Sequence, residues 1–210
     1  MSEKLTTLTC ASFVDALASK QPVPGGGGAA ALAGAFSVAL CSMVGNYTTG
    51  KKRYAAVEDD IQRLIAGAGD LAAQFLTLVE KDAEAYSLVG AAYGLGKEDP
   101  ARPQAIQDAL LAAAQPPLEM VRTAAKTLPL LQEMEEKGSV MLVSDVGCAA
   151  ELCRAAASAA AMNVLVNTAS MADKGQSAAM EAEVDELLAK VVPGCEALSA
   201  KVTRRIRKDS

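Results

Sequence analysis

The sequence predicts an all-α protein, a single-domain bundle of long antiparallel helices. Hydrophobic residues make up 51% of the 210 residues but aromatic residues only 3%. A composition dominated by alanine, leucine, valine and methionine favours helices over sheets. No stretch alternates between polar and apolar residues as a half-buried strand does. We find neither a linker nor an internal repeat, so residues 1–210 are expected to form one domain.

Helical periodicity assigns the first elements. A short helix is expected over residues 10–19, with Phe13, Val14 and Leu17 on one face. A second helix is expected from the glycines to about Tyr47.

The third helix, over residues 55–93, carries the clearest pattern. Its apolar residues recur at i, i+3, i+4 and i+7, which is typical of a helix with one buried face. They are Val57, Ile61, Leu64, Ile65, Ala68, Leu71, Ala72, Phe75, Leu78 and Val79. The segment GLGKEDPARP contains helix breakers and is expected to end this helix.

Proline is expected to divide the next helix. This helix begins near Gln104, and Pro116 and Pro117 should stop or kink it before more helix follows to Gly138. A proline inside a helix removes one backbone hydrogen bond and clashes with the preceding turn.

The last third of the chain is expected to contain two helices after an extended connection. The segment SVMLVSD, residues 139–145, is apolar and rich in β-branched residues. Ser144 should then cap a helix that runs to about residue 172. The last helix should begin near Ser177 and be interrupted at residues 193–194, which are proline and glycine.

Charge and histidine content exclude several classes of function. The net charge of −5 argues against general nucleic-acid binding, and the basic segment KVTRRIRKDS is explained as a solvated helix end. The chain has no histidine, which excludes histidine-based catalytic triads and metal sites built on imidazole. We therefore expect no metal and no cofactor.

The cysteines and the apolar stretches favour a cytoplasmic protein. The five cysteines form no CxxC pair and are interpreted as small core residues in a reducing compartment. The N-terminus lacks the pattern of a signal peptide. Residues 28–45 are mostly alanine and glycine with internal serines, which predicts a buried helix and not a membrane span.

Four consecutive glycines precede the second helix. The segment consists of Pro24, Gly25, Gly26, Gly27 and Gly28. Glycines at a helix start leave backbone N–H groups accessible for an anion, or for a flat ligand that lies against the backbone. The alternative is a flexible entry that lets the helix pack closely. Because four glycines cost much conformational entropy, we interpret the segment as functional.

The segment GNYTTGKK, residues 45–52, departs from the phosphate-loop pattern GxxxxGK[ST]. Lys52 replaces the hydroxyl residue, and no buried strand precedes the segment, so nucleotide hydrolysis is not expected. Lys51, Lys52 and Arg53 are either a binding site for an anionic group or a solvated helix end.

Two carboxylates stand out as candidate acid–base groups. Asp82, Tyr86 and Val89 continue the apolar stripe of the third helix. A buried carboxylate needs a partner or a function, although a structural salt bridge would also explain Asp82. Asp145 follows Ser144 at a helix start, where acidic residues also serve as ordinary capping groups.

Asn163 and Asn167 lie one turn apart on a helix otherwise rich in alanine and valine. They are either core amides with internal partners, or a donor–acceptor pair that recognises a polar ring.

Six segments together resemble a known family. In order along the chain, PVPGGGGAAALAGAF, GNYTTGKKRY, EKDAEAY, AAYGLGK, VSDVG and NVLVNT are similar to the cyclodeaminase/cyclohydrolase family of folate enzymes. This family includes stand-alone methenyltetrahydrofolate cyclohydrolases and the C-terminal domain of formiminotransferase-cyclodeaminase. The glycine segment followed by GKKxY is the specific part of the resemblance. The chain length and the AAYGLGK and GGGG segments look closer to the stand-alone enzymes.

The resemblance implies an all-helical homodimer that acts on a folate, with or without a polyglutamate tail. The implied reaction is hydrolysis of 5,10-methenyltetrahydrofolate to 10-formyltetrahydrofolate. The close alternative is formiminotetrahydrofolate cyclodeaminase, which closes the same ring and releases ammonia. A non-catalytic folate-binding helical dimer is the alternative of another class, and the carboxylate on the third helix weighs against it.

The reaction needs a base for water, an acid for N5 and an orienting pocket. Asp82 or Asp145 would be the base, Tyr86 would orient the water, and Lys51 would transfer protons.

The remaining residues would bind the substrate. The glycines would form a wall against the flat folate, with Lys51, Lys52 and Tyr54 nearby. Lys51 would face the ring and Lys52 the glutamate tail. Whichever of Asp82 and Asp145 is not the base would read the edge of the pterin together with Asn163 and Asn167.

Overall fold

The computed structural model describes residues 4–208, which form six α-helices and contain no strand. The helices are α1 (Cys10–Ala18), α2 (Gly26–Asn46), α3 (Glu58–Gly94), α4 (Arg102–Lys137), α5 (Val143–Thr168) and α6 (Lys174–Arg207). The all-α prediction is confirmed. The first three and last two residues, which belong to the N-terminal segment and to the basic C-terminal segment, lie outside the described residues.

Helices α2 to α5 form a four-helix bundle, and α6 covers α5 and α4 from outside. Each of the four packs on the next, and α5 closes the bundle against α2. Helices α2 and α5 are antiparallel, since Ser37 Oγ donates a 2.7 Å hydrogen bond to the carbonyl of Ala149 while Gly26 lies beside Asn163. The stripe of α3 faces the core, where Ile61 and Phe75 are fully buried.

Helix α1 contacts this bundle through one aromatic side chain. Phe13 is buried, but Val14 is 61% exposed and Leu17 is also exposed. The expected three-residue apolar face is therefore reduced to Phe13.

The expected breaks at proline do not occur. Helix α4 continues through Pro116, Pro117 and Pro129, and α6 continues through Pro193. A proline inside a helix costs about 3 kcal/mol. Pro116 and Pro117 are buried, and helices in proteins gain most of their stability from packing of their apolar face. Tertiary packing therefore outweighs the local preference to stop.

The connection before α5 also differs from the prediction. Val140–Leu142 forms a 3₁₀ turn and α5 begins directly at Val143, so residues 139–145 are not extended and Ser144 is not the cap. The backbone N–H of Ser139 donates to Thr48 Oγ1 at 2.8 Å, and that of Val140 donates to the Tyr54 hydroxyl at 3.2 Å. These contacts hold the connection to residues distant in sequence.

Helix α2 is a core helix of this bundle. It is the one helix within residues 4–208 that is long and apolar enough to cross a membrane. Ala31, Val38, Cys41 and Val44 are buried against the other helices. Gly34 allows close packing, because a Cβ there would lie 2.4 Å from the Phe75 ring. The chain is thus a soluble helical protein, and its five cysteines are all free thiols.

Candidate active site

A cavity of about 440 Å³ opens at the end of the bundle where α2 begins. The segment before α2, the C-terminal part of α3 and the last turns of α5 surround it, and α4 closes one side. The expected site residues that line it are Gly25, Gly26, Gly27, Asp82, Tyr86, Asn163 and Asn167. The structure therefore brings together groups that are up to 142 positions apart in the sequence.

Most of the glycines form the first turn of α2 itself. Gly25 is the N-cap residue with an extended backbone (φ −126°), and the helix begins at Gly26. None of these glycines has a positive φ, so the backbone does not require glycine for its conformation. Close approach of other side chains requires it instead.

Asp82 is the side chain that comes closest to this turn. A Cβ on Gly27 would lie 2.1 Å from Asp82 Oδ1, so only glycine leaves room for the carboxylate. The backbone N–H of Gly28 lies close enough to the carboxylate to favour its ionised form. Asp82 therefore lies at the place of a capping oxygen, which Gly25, without a side chain, cannot provide.

Burial gives this carboxylate an unusual acidity. Desolvation raises the pKa of Asp82 from 3.8 to about 6, and the backbone N–H of Gly28 partly offsets the increase. A carboxylate with a pKa near the working pH is suited to act as a general base, because it is ionised near neutrality yet basic enough to take a proton. No ion pair within residues 4–208 involves Asp82, so the salt-bridge explanation is not supported.

The two asparagines present hydrogen-bond acceptors to the cavity. Asn163 Nδ2 donates to the carbonyl of Ala159 at 2.8 Å, and Asn167 Nδ2 donates to the carbonyl of Asn163 at 2.8 Å. These backbone contacts fix the amide orientation, since the opposite orientation would place two acceptors together. Neither Oδ1 accepts a hydrogen bond from another of the described residues, so both remain available to N–H groups of a ligand.

A proline in α4 helps to hold Asn167. Pro117 has no backbone N–H, so the carbonyl of Ala113, four residues earlier, has no helical donor. Asn167 Nδ2 donates to this carbonyl at 3.3 Å. The proline that was expected to break the helix therefore creates an anchor for a side chain of the cavity.

Tyr93 is a cavity residue that the sequence analysis missed. It follows Tyr86 by seven residues, which is about two helical turns, and both lie at the cavity with their side chains half exposed. The helical spacing could have identified it, because the stripe of α3 that contains Asp82 and Tyr86 continues to Tyr93. The Arg102 guanidinium lies 5.9 Å from the centre of the Tyr93 ring.

Two expected residues lie just outside the cavity. Pro24 and Gly28 are buried beneath its wall, where a Cβ on Gly28 would lie 3.4 Å from Pro24 Cβ. They support the first turn of α2.

Four further expected residues lie at the opposite end of the bundle. Lys51, Lys52 and Tyr54 follow the C-terminus of α2, whose 21 residues span about 30 Å. Asp145 lies in the first turn of α5, which begins at that same end. The expectation that the lysines and Tyr54 lie near the glycines is therefore wrong within a single chain, because α2 separates them.

This second end carries a cationic segment, next to the acidic first turn of α3. Lys51, Lys52 and Arg53 are exposed, and none of the ion pairs within residues 4–208 involves them. Lys51 Nζ lies 6.0 Å from the centre of the Tyr47 ring. Burial raises the pKa of Tyr54, but its hydrogen bond with Val140 and the nearby cations outweigh burial and lower this pKa overall.

Neither a groove between α3 and α4 nor a metal-binding cluster among the described residues offers a second candidate site. A groove of about 610 Å³ between α3 and α4 is wider than the cavity, but none of the expected residues lines it. Its Arg122 is already paired with Glu183 at 2.6 Å. Within residues 4–208, no group of three or more histidine, cysteine, aspartate or glutamate side chains could hold a metal ion.

Comparison with known proteins identifies the family. Residues 9–186 match the family model described as formiminotransferase-cyclodeaminase. The chain belongs to this family. It is 39% identical over 185 residues to a methenyltetrahydrofolate cyclohydrolase of Methylorubrum extorquens, which covers 86% of this chain and 89% of that protein.

Other proteins that this chain resembles have cyclodeaminase in their names. The formimidoyltransferase-cyclodeaminase of Rattus norvegicus is 32% identical over 175 residues, and the match covers 81% of this chain but only 32% of that protein. This chain also superposes on the crystal structure of formiminotetrahydrofolate cyclodeaminase from Thermotoga maritima with a TM-score of 0.88 and 30% sequence identity. The match covers 97% of this chain and 99% of that chain. The fold of this family is thus shared over almost the whole length.

Proposed function

We propose that this protein hydrolyses 5,10-methenyltetrahydrofolate to 10-formyltetrahydrofolate in one-carbon metabolism. The observation that carries the proposal is the buried carboxylate of Asp82, with its pKa raised to about 6, in a cavity of a chain 39% identical to a methenyltetrahydrofolate cyclohydrolase. A carboxylate that only capped α2 would not need the burial that raises the pKa of Asp82 to about 6, which argues for a catalytic and against a purely binding protein.

Asp82 acts as the base in the proposed mechanism. The substrate carries a positive charge delocalised over N5, N10 and the carbon between them. A water oxygen bonds to this carbon while Asp82 takes one of its protons, which gives a neutral tetrahedral adduct. The C–N5 bond then breaks, N5 receives a proton, and the adduct's hydroxyl proton leaves, so one proton is released overall.

The other cavity residues bind and orient the substrate. Asn163 Oδ1 and Asn167 Oδ1 accept hydrogen bonds from the N–H groups of the pterin's aminopyrimidine ring. The backbone of Gly26 and Gly27 lies against the flat ring system, and Tyr86 orients the attacking water. These contacts hold water and carbon in reacting geometry, which is where much of the rate enhancement in such reactions arises.

The chain offers a basis for three further proposals. We place the protein in the cytoplasm, since five free thiols fit a reducing compartment. It functions as a homodimer, because the outer side of α2 and α5 exposes large apolar side chains. Lys52 binds the glutamate tail of the folate.

Cyclodeaminase activity is the second candidate. It is favoured by the Thermotoga maritima structure, which bears that name and aligns with 97% of this chain. Both reactions involve the same bridged ring, so much of the site would serve either.

A parallel steady-state assay tests both. One preparation is given methenyltetrahydrofolate or formiminotetrahydrofolate, and Asp82→Asn serves as the matched inactive variant. We expect turnover of the methenyl substrate to exceed that of the formimino substrate. The reverse preference would assign the protein as a cyclodeaminase, and tight folate binding without any turnover would assign it as a binding protein.

A further inference from the structure

The outer side of α2 and of the C-terminal half of α5, residues 155–168, forms an uncharged surface, here called the α2–α5 face. The nearest charged side chains on α5, Glu151 and Arg154, pair with each other. Helix α2 contains no charged residue along its 21 positions. On this face Phe36 is 53% exposed, Met162 69% and Val166 66%. Leu40, Met43 and Ala155 extend the surface at helical spacing and are partly or fully exposed. Large contiguous apolar patches on a soluble protein mark interaction sites.

The two ends of this face differ in charge. At one end lies the cavity, where Asp82 is the only charged lining side chain among the described residues. At the other lie Lys51, Lys52 and Arg53, which form no ion pair with other residues in the range 4–208, although the acidic first turn of α3 follows them directly. Phe36 is ten residues from each end of α2, about 15 Å in each direction, so it marks the middle of the face.

We infer that a second copy of this chain covers the α2–α5 face in the antiparallel sense, so that Lys51 of the partner subunit and Lys52 of the partner subunit complete the cavity that contains Asp82. The inference rests on the proposed function. It explains how Lys51 and Lys52, which lie about 30 Å from Asp82 within one chain, can reach the site.

Symmetry and charge decide the orientation. A twofold axis that lies in the face can run along the helices or across them. Along the helices, it would place the cationic end of one subunit against the cationic end of the other. An axis that runs across the helices at the level of Phe36 instead places the cationic segment of each subunit beside the partner's cavity. In this arrangement the two α2 helices pack antiparallel. Opposite charges and opposite helix dipoles both favour the second arrangement.

The second copy also supplies chemistry that the cavity lacks. The cavity has a base and hydrogen-bond acceptors, but no lysine or arginine of residues 4–208 lines it. Cleavage of the C–N5 bond requires a proton at N5, and the folate tail carries carboxylates that need cations. The partner's Lys51 faces the ring and donates the proton to N5, and the partner's Lys52 binds the tail.

Subunit complementation tests this arrangement directly. Asp82→Asn and Lys51→Met are coexpressed with different affinity tags, and the mixed dimer is isolated by two successive tag purifications. One of its two sites combines an intact Asp82 with the other subunit's intact lysine. We expect each homodimeric variant to be nearly inactive and the mixed dimer to show about half of the wild-type turnover per dimer, because one site in two is complete.

The controls separate this inference from the proposed function. A wild-type protein without activity on either folate would contradict the proposed function alone. An active wild type together with an inactive mixed dimer, a fully active Lys51→Met variant, or no mixed dimer retained by both tags would overturn the shared site. The double variant Asp82→Asn/Lys51→Met paired with Asp82→Asn should stay inactive, because it contains no intact base.

A second pair of variants tests the face itself. Phe36→Glu places a charge in the middle of the face, and Val14→Glu places one at a comparably exposed apolar residue on α1. Light scattering and circular dichroism should show a folded monomer for Phe36→Glu, with kcat/KM reduced by at least about 100-fold. Val14→Glu should remain dimeric and active. A monomeric Phe36→Glu variant with full activity would overturn the inference.

Discussion

Asp82 links the acid–base chemistry of the cavity to the stability of the folded chain. Its pKa is about 3.8 in the unfolded state and about 6 in the folded state. Above pH 6 the folded protein therefore holds a buried charge at a cost; this cost falls as the pH drops towards 4 and vanishes below about pH 3, where the carboxyl is neutral in both states. Burial of Asp82 therefore makes the base reactive but lowers the free energy of unfolding near neutral pH.

Asp82→Asn should accordingly stabilise the fold while it abolishes activity. We expect the free energy of unfolding at pH 8 to rise by up to about 3 kcal/mol, with no gain near pH 3. Turnover should fall by about 10²–10⁴-fold. Urea unfolding at both pH values measures the first effect, and Asp70→Asn, an exposed carboxylate on the same helix, is the control. Equal stability changes at both pH values would show that Asp82 carries no burial cost.

The pH dependence of the reaction should report the same group. We expect kcat/KM to rise with pH through about 6 and then level off, since the base must be ionised in the free enzyme. The cationic substrate favours the ionised carboxylate, so the midpoint of the kcat profile should lie at lower pH than that of kcat/KM. A rate that is constant between pH 5 and pH 8 would remove Asp82 from this role.

At the scale of elements, the sequence predicts best where packing and local preference agree. The stripe of α3 predicted both its helix and the position of Asp82 on the inner side. Pro117 was misread because its buried contacts, which no local window contains, outweigh the cost of proline. Pro193 is itself exposed, and the residues that pack α6 around it are Val191 and Cys195. The position of Lys51 was also misread. The family resemblance placed it beside the glycines at the start of α2, but within one chain α2 holds the two about 30 Å apart.

The start of α2 should tolerate no side chain at Gly27. In Gly27→Ala the new Cβ would lie 2.1 Å from Asp82 Oδ1 and would displace the carboxylate. We expect kcat/KM to fall by at least about tenfold, because a displacement of about 1 Å can cost 10²-fold in rate. Gly69→Ala, at an exposed helical glycine with no atom within 4 Å, is the control and should keep wild-type kinetics. An unaffected Gly27→Ala variant would mean that the carboxylate does not need this turn.

Pro117 provides a test of how α4 supports the cavity. In Pro117→Ala, the backbone N–H of residue 117 can donate to the carbonyl of Ala113 and compete with Asn167 for it. We expect KM to rise a few-fold with kcat little changed, because Asn167 contributes to binding and not to the chemical step. Pro129→Ala, at an exposed proline of the same helix, should leave KM unchanged. If the two variants behave alike, the proline has no role in holding Asn167.

At the scale of the whole molecule, one buried carboxylate holds α6 against the bundle. The Glu135 side chain on α4 is 2% exposed and pairs with Lys201 and with Arg205, the latter at 2.8 Å. The double variant Lys201→Ala/Arg205→Ala leaves this carboxylate buried without a cation. We expect the free energy of unfolding to fall by about 3–5 kcal/mol, as is typical when one side of a buried ion pair is removed.

An exposed ion pair on α6 gives the matched comparison. Lys190 and Glu186 are 65% and 69% exposed, so Lys190→Ala should change the free energy of unfolding by less than about 1 kcal/mol. Urea denaturation of both variants measures the difference. Similar losses for the two would mean that burial of Glu135 does not set the strength of the α6 contact.

The pairing of α2 with α5 has a consequence for synthesis of the chain. The hydrogen bond between Ser37 and Ala149 joins residues that are 112 positions apart. At about 5–20 residues per second, a ribosome needs on the order of 5–20 s to add that stretch. During this interval the uncharged α2 has left the ribosome while the helix that covers its flank does not yet exist. The nascent chain therefore presents its most hydrophobic helix to the chaperones of the cell well before the fold can bury it.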